Sequence, residues 1–265
     1  MNVPHPGSRF VPDPRLPVRP GRGSRSVWNA RLLAAVSAAG VAVASNLVPV
    51  DGGGVQIAAG LTVDRRRDEV RLVARVACDR GFLEQLVCLE GTREHESLLS
   101  TAVAPSAVHA GLLMLGLEPG HPGRWSMTDD GGVSILKPEG PHIEALVRRI
   151  RGATVAETPL RDWVAGPDGS AFTAPLVFAG SEIRPNPPSL ARIRGPGEHY
   201  VADLTGSLIG LVTFGDEVIA PTSVQPDRTD VSAPIHSARS GVVPGAGSVV
   251  TLILRPVAPT VRSVP

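Results

Sequence analysis

Cysteine and aromatic residues are scarce in this chain of 265 residues. The two cysteines, Cys78 and Cys88, allow one disulfide but no four-cysteine metal or iron–sulfur cluster. Aromatic residues make up only 3% of the chain, although hydrophobic residues reach 42%. A sizeable core is therefore expected, but it has to be built from Val, Leu, Ile and Ala.

Lysine is nearly absent as well, since Lys137 stands alone beside 25 arginines. The formal net charge is +1, but the basic residues are unevenly spread. Residues 1–44 carry six arginines and one acid, and the rest of the chain then holds 20 basic and 24 acidic residues. This mildly acidic remainder lacks the basic patch that nucleic acid requires, so no nucleic-acid partner is expected.

The start of the chain has the features of an export signal. Residues 1–31 are rich in Pro, Arg, Gly and Ser and have no hydrophobic period, which is typical of disorder. The apolar run Leu32–Val48 follows Arg31 and contains a small-x-small cleavage pattern, Ala42-Val-Ala44. This run is short for a permanent membrane anchor and is interrupted by polar residues. We therefore predict a disordered basic leader with a signal peptide over 1–44.

The mature protein is accordingly expected in the periplasm or cell envelope, with membrane contact only transiently through the signal peptide. A glycine-rich linker over 45–54 would precede the folded part.

The remaining sequence predicts many short strands. Glycine (29) and proline (26) are spread without a period, which favours strands joined by turns. Pro105 suits the first position of a helix, and Gly116 suits its end. We predict one domain over 55–257 of the α+β class. It would consist mostly of antiparallel sheet, with one clear helix at about residues 105–116 and a tail over 258–265.

The spacing of two predicted strands bears on the cysteines. Val70–Cys78 and Phe82–Leu89 flank a short polar turn, which predicts a hairpin. In that register the two thiols would lie roughly 20 Å apart along the strands, at about 3.3 Å per residue. A disulfide tolerates a Cα separation of no more than about 7 Å. The two cysteines are therefore predicted not to pair.

Residues 88–109 concentrate side chains that bind metals or transfer protons. Cys88 is followed by a Glu94-His95-Glu96 run, and His109 lies on the predicted helix. These are acceptable zinc ligands, although their spacing matches no standard site.

A zincin helix, His-Glu-x-x-His, is excluded because Leu99 occupies the position of its second histidine. Ordering of a turn by Glu94, His95 and Glu96 is an equally simple explanation for these residues. The candidate ligand-binding residues are Glu94, His95, Glu96 and His109, and the alternative metal ligands are Cys88, His95, Glu96 and His109.

The same region carries a family resemblance. Cys88, Thr92, the run Glu94–Ser97 and the segment Pro105–Gly120 resemble the YdjY domain, and segments 199–207 and 247–256 are similar too. The resemblance covers most of residues 55–257. Such domains are frequent in exported planctomycete proteins and are poorly characterised, so the resemblance implies export but no specific activity. Arg93 stands where the family usually has lysine, which keeps the charge but removes a nucleophilic amine.

The favoured function is an exported, non-enzymatic domain that binds a protein, an envelope component or a small ligand through residues 88–109. No catalytic residue and no cofactor are assigned, because no complete catalytic motif occurs. The alternative is a thiol enzyme, or one dependent on zinc or another divalent metal, built on Cys88, His95, Glu96 and His109. Under either hypothesis, His95 and His109 are expected to lie close enough to share a ligand.

The export signal makes a direct prediction. If Leu32–Val48 is the hydrophobic part of a signal peptide, the mature protein should begin at Ser45 or within a few residues of it. N-terminal sequencing of protein from the envelope fraction measures this. Recovery of an intact Met1 form from the cytoplasm would refute it.

Overall fold

The computed structural model of the protein describes residues 48–50, 54–151, 154–166 and 168–257. The predicted signal peptide over 1–44 and the tail over 258–265 lie outside the described residues. Within the predicted linker, Val48–Val50 forms a strand. None of the helices in the described ranges is both long and apolar enough to span a membrane.

The described chain consists mainly of short strands. In chain order these are β1 Val48–Val50, β2 Gly54–Ala58, β3 Leu61–Asp64, β4 Glu69–Val76, β5 Gln85–Leu89, β6 Ser97–Thr101, β7 Arg124–Met127, β8 Val133–Leu136, β9 His142–Arg151, β10 Thr154–Pro159, β11 Val164–Ala165, β12 Leu176–Phe178, β13 Ile183–Pro185, β14 Glu198–Tyr200, β15 Ser207–Gly210, β16 Ile219–Pro221, β17 Ser237–Ala238 and β18 Val249–Pro256. The helices are α1 Pro105–Met114, α2 Pro188–Arg194 and α3 Val201–Thr205, with 3-10 turns at Glu94–Glu96 and Leu160–Trp163.

Eight of these strands close into a barrel. They follow the order β4-β18-β9-β12-β16-β15-β5-β6, and β6 pairs back onto β4 through Arg75↔Ser100 and Val76↔Leu99. Two neighbouring pairs are parallel, β5–β6 and β15–β16. The strands β3, β2 and β1 continue the sheet outward from β4, and β10 pairs with β9 as a long hairpin.

The predicted α+β class is therefore wrong, because the architecture is a closed, sheet-dominated barrel that also contains parallel pairs. A helix does begin at Pro105, but it ends at Met114, two residues before the predicted end. The other two helices have seven and five residues, so helices remain minor additions to the barrel.

Alternation of side chains explains why β4 can face the core. Val70, Leu72, Ala74 and Val76 are buried, whereas the residues between them are partly or fully exposed. Aliphatic residues dominate the core, as the scarcity of aromatics predicts.

Helix α1 packs against the buried face of β3 and β4. A Cβ built on Gly111 would lie 3.3 Å from methyl carbons of Val70, so the small residue allows a close approach. Ala104 provides no side-chain cap for this helix. Asp203 of α3 takes that role, because its carboxylate accepts the Ser106 N–H at 2.8 Å.

The predicted hairpin between β4 and β5 does not form. Strand β5 pairs with β6 and β15, whereas β4 pairs with β3, β6 and β18. Both cysteines are free thiols, as predicted. The predicted cause, separation of the two thiols along a hairpin, is wrong. Cys78 is half-buried and donates to the Glu94 carbonyl at 3.1 Å, while Cys88 is fully buried in β5.

These environments predict different thiol reactivities. We expect Cys88 to resist an aqueous thiol reagent in the native protein and Cys78 to react first, because Cys88 has no exposed surface. Titration of native and denatured unreduced protein measures this, with Cys78→Ser as the matched control that should abolish the fast phase. Two thiols should appear on denaturation. A linked Cys78–Cys88 peptide would contradict the expectation.

Candidate functional site

The connection between β5 and β6 carries three of the candidate residues, Glu94, His95 and Glu96, in its 3-10 turn. Thr92 of this connection packs against Gly206, which has φ +80°. A Cβ at residue 206 would lie 2.1 Å from Thr92 Oγ1, so only glycine fits. The Glu94 carboxylate accepts the Gly91 N–H, and this hydrogen bond lowers the pKa of Glu94. Glu94 therefore serves to order the loop.

The exposed side of this connection forms a mixed surface that we call the turn patch, made of Glu84, Arg93, His95, Glu96 and Phe214. The Arg93 guanidinium lies 4.0 Å above the centroid of the Phe214 ring. Glu96 oxygens lie 3.7 Å from Arg93 Nη1 and 3.6 Å from His95 Nε2. His95 is 77% exposed. The Glu84 N–H donates to the Glu96 carbonyl at 2.8 Å, which fixes the two glutamates side by side.

Glu84 is electrostatically perturbed in this position. Partial burial raises its pKa, and the neighbouring Glu96 carboxylate raises it further. Asp227 adds negative charge from another loop, where its carboxylate accepts the Trp125 Nε1–H at 3.0 Å. The turn patch thus contains carboxylates held close together at the surface of the barrel.

His109 occupies a different environment, in the core. Its side chain is 2% exposed, and its ring packs edge-on against Phe178 at 4.8 Å. The Tyr200 hydroxyl donates to the Gly180 carbonyl at 2.8 Å, so His109 must donate from Nδ1 to that hydroxyl, also at 2.8 Å. Burial lowers the pKa of His109 to about 3, so the imidazole is neutral.

Cys88 is equally inaccessible, and burial raises the pKa of its thiol. The structure therefore places Cys88 and His109 in the interior and His95 in solvent, and it does not bring them together around one ligand. Among the described residues, no group of three or more His, Cys, Asp or Glu side chains is arranged to hold a metal ion.

Sequence reasoning missed Glu84 and Phe214. Glu84 lies twelve residues before Glu96, and the parallel pairing of β5 with β6 places them together. Phe214 comes from the loop between β15 and β16, which reaches the patch only through the closed barrel. Neither contact has a local sequence signal.

Two open cavities lie outside the 88–109 region, and no residue of that region lines either one. The first has a volume of about 480 Å³ and lies between segments 166–174 and 223–236. The second, of about 410 Å³, includes His142, Glu144 and Arg161. Phe172, Thr173 and Ala174 line both cavities.

Glu217 holds the loop that presents Phe214. Its carboxylate is fully buried, and one oxygen accepts the N–H groups of Phe214 and Gly215. The second oxygen, Oε2, has no partner among the described residues. Burial raises the pKa of Glu217 to about 7, and the charge of Asp216 adds to the effect.

Comparison with known families assigns the chain to a class of domain. The model of the YdjY domain matches residues 61–255, which is most of the chain, so the protein belongs to the YdjY domain family. This confirms the resemblance found in the sequence. No curated protein and no solved structure matches the chain.

The buried carboxyl group predicts a pH-dependent stability. The pKa of Glu217 is about 7 in the folded protein against an ordinary value of 4.5, so the folded state holds the proton more tightly. Its contribution is complete below pH 4.5 and is lost as pH rises through about 7. The loss amounts to roughly 3 kcal/mol at about 1.4 kcal/mol per pKa unit.

Glu217→Gln keeps an acceptor oxygen and cannot ionise. Its unfolding free energy relative to wild type should therefore rise from about pH 4.5 and level off above about pH 7 in denaturant titrations. Glu118→Gln, which removes a carboxylate at an exposed position, is the matched control. A difference between Glu217→Gln and wild type that stays constant with pH would contradict this assignment.

Proposed function

We propose that this chain is an exported, non-enzymatic binding domain whose turn patch, which joins residues 93, 95 and 96 of the 88–109 region to Glu84 and Phe214, recognises a cationic segment of a protein partner. The observation that carries the proposal is the placement of Glu84 beside Glu96 at the surface. The Glu96 and Asp227 charges raise the pKa of Glu84, and the Arg93 charge opposes them.

The distances within the patch support a cationic partner. Both contacts of Glu96, to Arg93 and to His95, exceed 3.5 Å, so neither is a hydrogen bond. Arg93 is also committed to its stack on Phe214. An incoming lysine or arginine would relieve the repulsion between the two carboxylates, and this relief favours binding and selects against acidic partners.

Aromatic surface next to the carboxylates supports a protein partner. Phe82 is 63% exposed and lies two residues before Glu84. Phe214 is half-buried beneath Arg93. Aromatic residues and arginine are among the side chains that most often dominate binding energy at protein interfaces.

The proposal is tested with a defined probe, the tetrapeptide Lys-Arg-Lys-Arg blocked at both ends. Amide NMR shifts of the full chain should change at Glu84, residues 93–96 and Phe214 during titration, and the matched Glu-tetrapeptide should cause no change there. The double variant Glu84→Gln/Glu96→Gln should bind at least fivefold more weakly, because it removes both charges. Glu118→Gln should bind like wild type.

Binding should also weaken as pH falls, because the raised pKa of Glu84 means that this carboxylate protonates first. Shifts spread evenly over all acidic surfaces, or unchanged affinity in the double variant, would overturn the proposal. Metal analysis separates it from the enzyme alternative. Stoichiometric zinc in the purified protein that is lost in His95→Ala would favour a metal-dependent activity instead.

A further inference from the structure

We propose that the 480 Å³ cavity between segments 166–174 and 223–236 is a binding site for a neutral, polyhydroxylated ligand, a sugar unit. This site is separate from the turn patch, and neither proposal depends on the other.

Backbone pairing fixes the two walls of the cavity relative to each other. Strand β11 pairs with β17 through Val164↔Ala238 and Ala165↔Ser237, which joins the two segments at one end. The Thr222 N–H donates to the Pro175 carbonyl at 2.8 Å and joins them near the other end. The cavity is therefore formed by the fold itself, and its volume lies within the range of small-molecule sites, about 300–1,000 Å³.

The lining chemistry is polar but carries no formal charge. None of the residues that line the cavity is Asp, Glu, Lys or Arg. Hydroxyl groups predominate, together with one amide and one imidazole, from Ser170, Thr173, Ser223, Ser232, Gln225 and His236. A charged ligand would lose hydration here without gaining a counter-charge, so the cavity favours neutral molecules that hydrogen-bond.

Gln225 is held in a fixed orientation at this wall. It is 8% exposed, and its Nε2 donates to the Ala233 carbonyl at 3.3 Å. Its backbone is tied to Thr213, whose N–H donates to the Gln225 carbonyl at 2.7 Å and whose hydroxyl accepts the Gln225 N–H at 3.2 Å. Pre-positioned polar groups of this kind give a site specificity without a cost of ordering on binding.

His236 forms part of the inner wall of the cavity. The residue is 9% exposed, and its ring packs edge-on against Phe172 at 5.2 Å. Its Nδ1 has no hydrogen-bond partner among the described residues. Burial lowers the pKa of His236, so the ring stays neutral and offers one donor and one acceptor. The Nδ1 atom is itself buried, so His236 shapes the wall, and the groups that a ligand would reach are the hydroxyls of less buried residues such as Thr173 and Ser232.

A sugar unit matches these groups better than other neutral ligands. Each sugar hydroxyl both donates and accepts, as do the serine and threonine hydroxyls of the wall, which rotate to suit. The apolar members of the lining, Phe172, Val224 and Ile235, provide surface for the C–H groups of a pyranose ring. Both free sugars and the units of an envelope glycan carry this chemistry.

The test measures sugar binding to the full chain by ligand-observed NMR with glucose, galactose, N-acetylglucosamine, cellobiose and cellotetraose. We expect at least one neutral sugar to bind in the millimolar range or better. Glucuronic acid should bind no better than glucose, because the cavity holds no cation. Tighter binding of cellotetraose than of glucose identifies a glycan chain as the ligand, and equal binding identifies a free sugar unit.

Variants locate the binding in this cavity. Thr173→Val/Ser232→Ala removes two lining hydroxyls at sites that are not fully buried, and it should weaken binding at least tenfold. Ser126→Ala/Ser134→Ala removes two exposed hydroxyls from the β7–β8 hairpin and should leave binding unchanged. Failure of every neutral sugar to bind at 50 mM, or equal loss in both variants, would overturn the proposal.

Discussion

The double use of one edge of β4 is the constraint on which the rest of the structure depends. The first half of this edge pairs with β3, through Leu61↔Leu72 to Asp64↔Glu69, and the last two residues pair with β6. The opposite edge pairs with β18 over six residues. Because β3 ends its pairing at Leu72, the remaining edge is free to receive β6, and the sheet closes into a ring.

The turn patch follows from that closure. Strand β5 must fit between β6 and β15, and it does so parallel to β6. Only seven residues, 90–96, connect these two parallel strands, whereas parallel neighbours usually need a crossover of a dozen or more. These residues form a tight connecting loop. The packing of Thr92 against Gly206 and the hydrogen bond from the Gly91 N–H to Glu94 hold it in place. The side chains at its outer surface are consequently fixed.

The range over which a structural signal acts explains where the sequence predicted the fold correctly and where it did not. Pro105 and the apolar residues after it predict the start of α1 correctly, because helix capping and periodicity are local signals. A local rule also makes β4 and β5 look like a hairpin, since a short polar turn separates them. Which strand β5 pairs with depends on long-range closure, and no pattern within either strand encodes it.

The candidate residues show the same difference between local and long-range signals. His95 and Glu96 were found as ligand-type residues and do lie at the surface. No local signal indicates that Glu84 lies beside Glu96 or that Phe214 lies beneath Arg93. His109 has the same residue type as His95 and the opposite environment, because α1 turns it inward against Phe178 and Tyr200. Residue type alone cannot separate these two histidines.

Two of the buried titratable groups, His109 and Glu217, act in opposite directions on stability. His109 has a pKa of about 3 in the folded protein against an ordinary 6.5. As pH falls below 6.5 it lowers the free energy of unfolding, because only the unfolded chain gains the proton. Glu217 lowers the free energy of unfolding as pH rises above 4.5, because the unfolded chain then loses the proton that the folded chain keeps. Between pH 4.5 and 6.5 the two slopes have opposite signs and offset each other.

The position of β18 in the ring sets the order in which the chain can fold. This strand lies between β4 and β9 and pairs Val249 with Arg75, residues separated by 174 positions. Until it arrives, the facing edges of β4 and β9 have no partner on that side. A chain synthesised from its N-terminus would therefore remain an open sheet until its last described strand has been made. Contacts of such long range form slowly, so open edges would persist at the stage when a chaperone or a neighbouring chain can reach them.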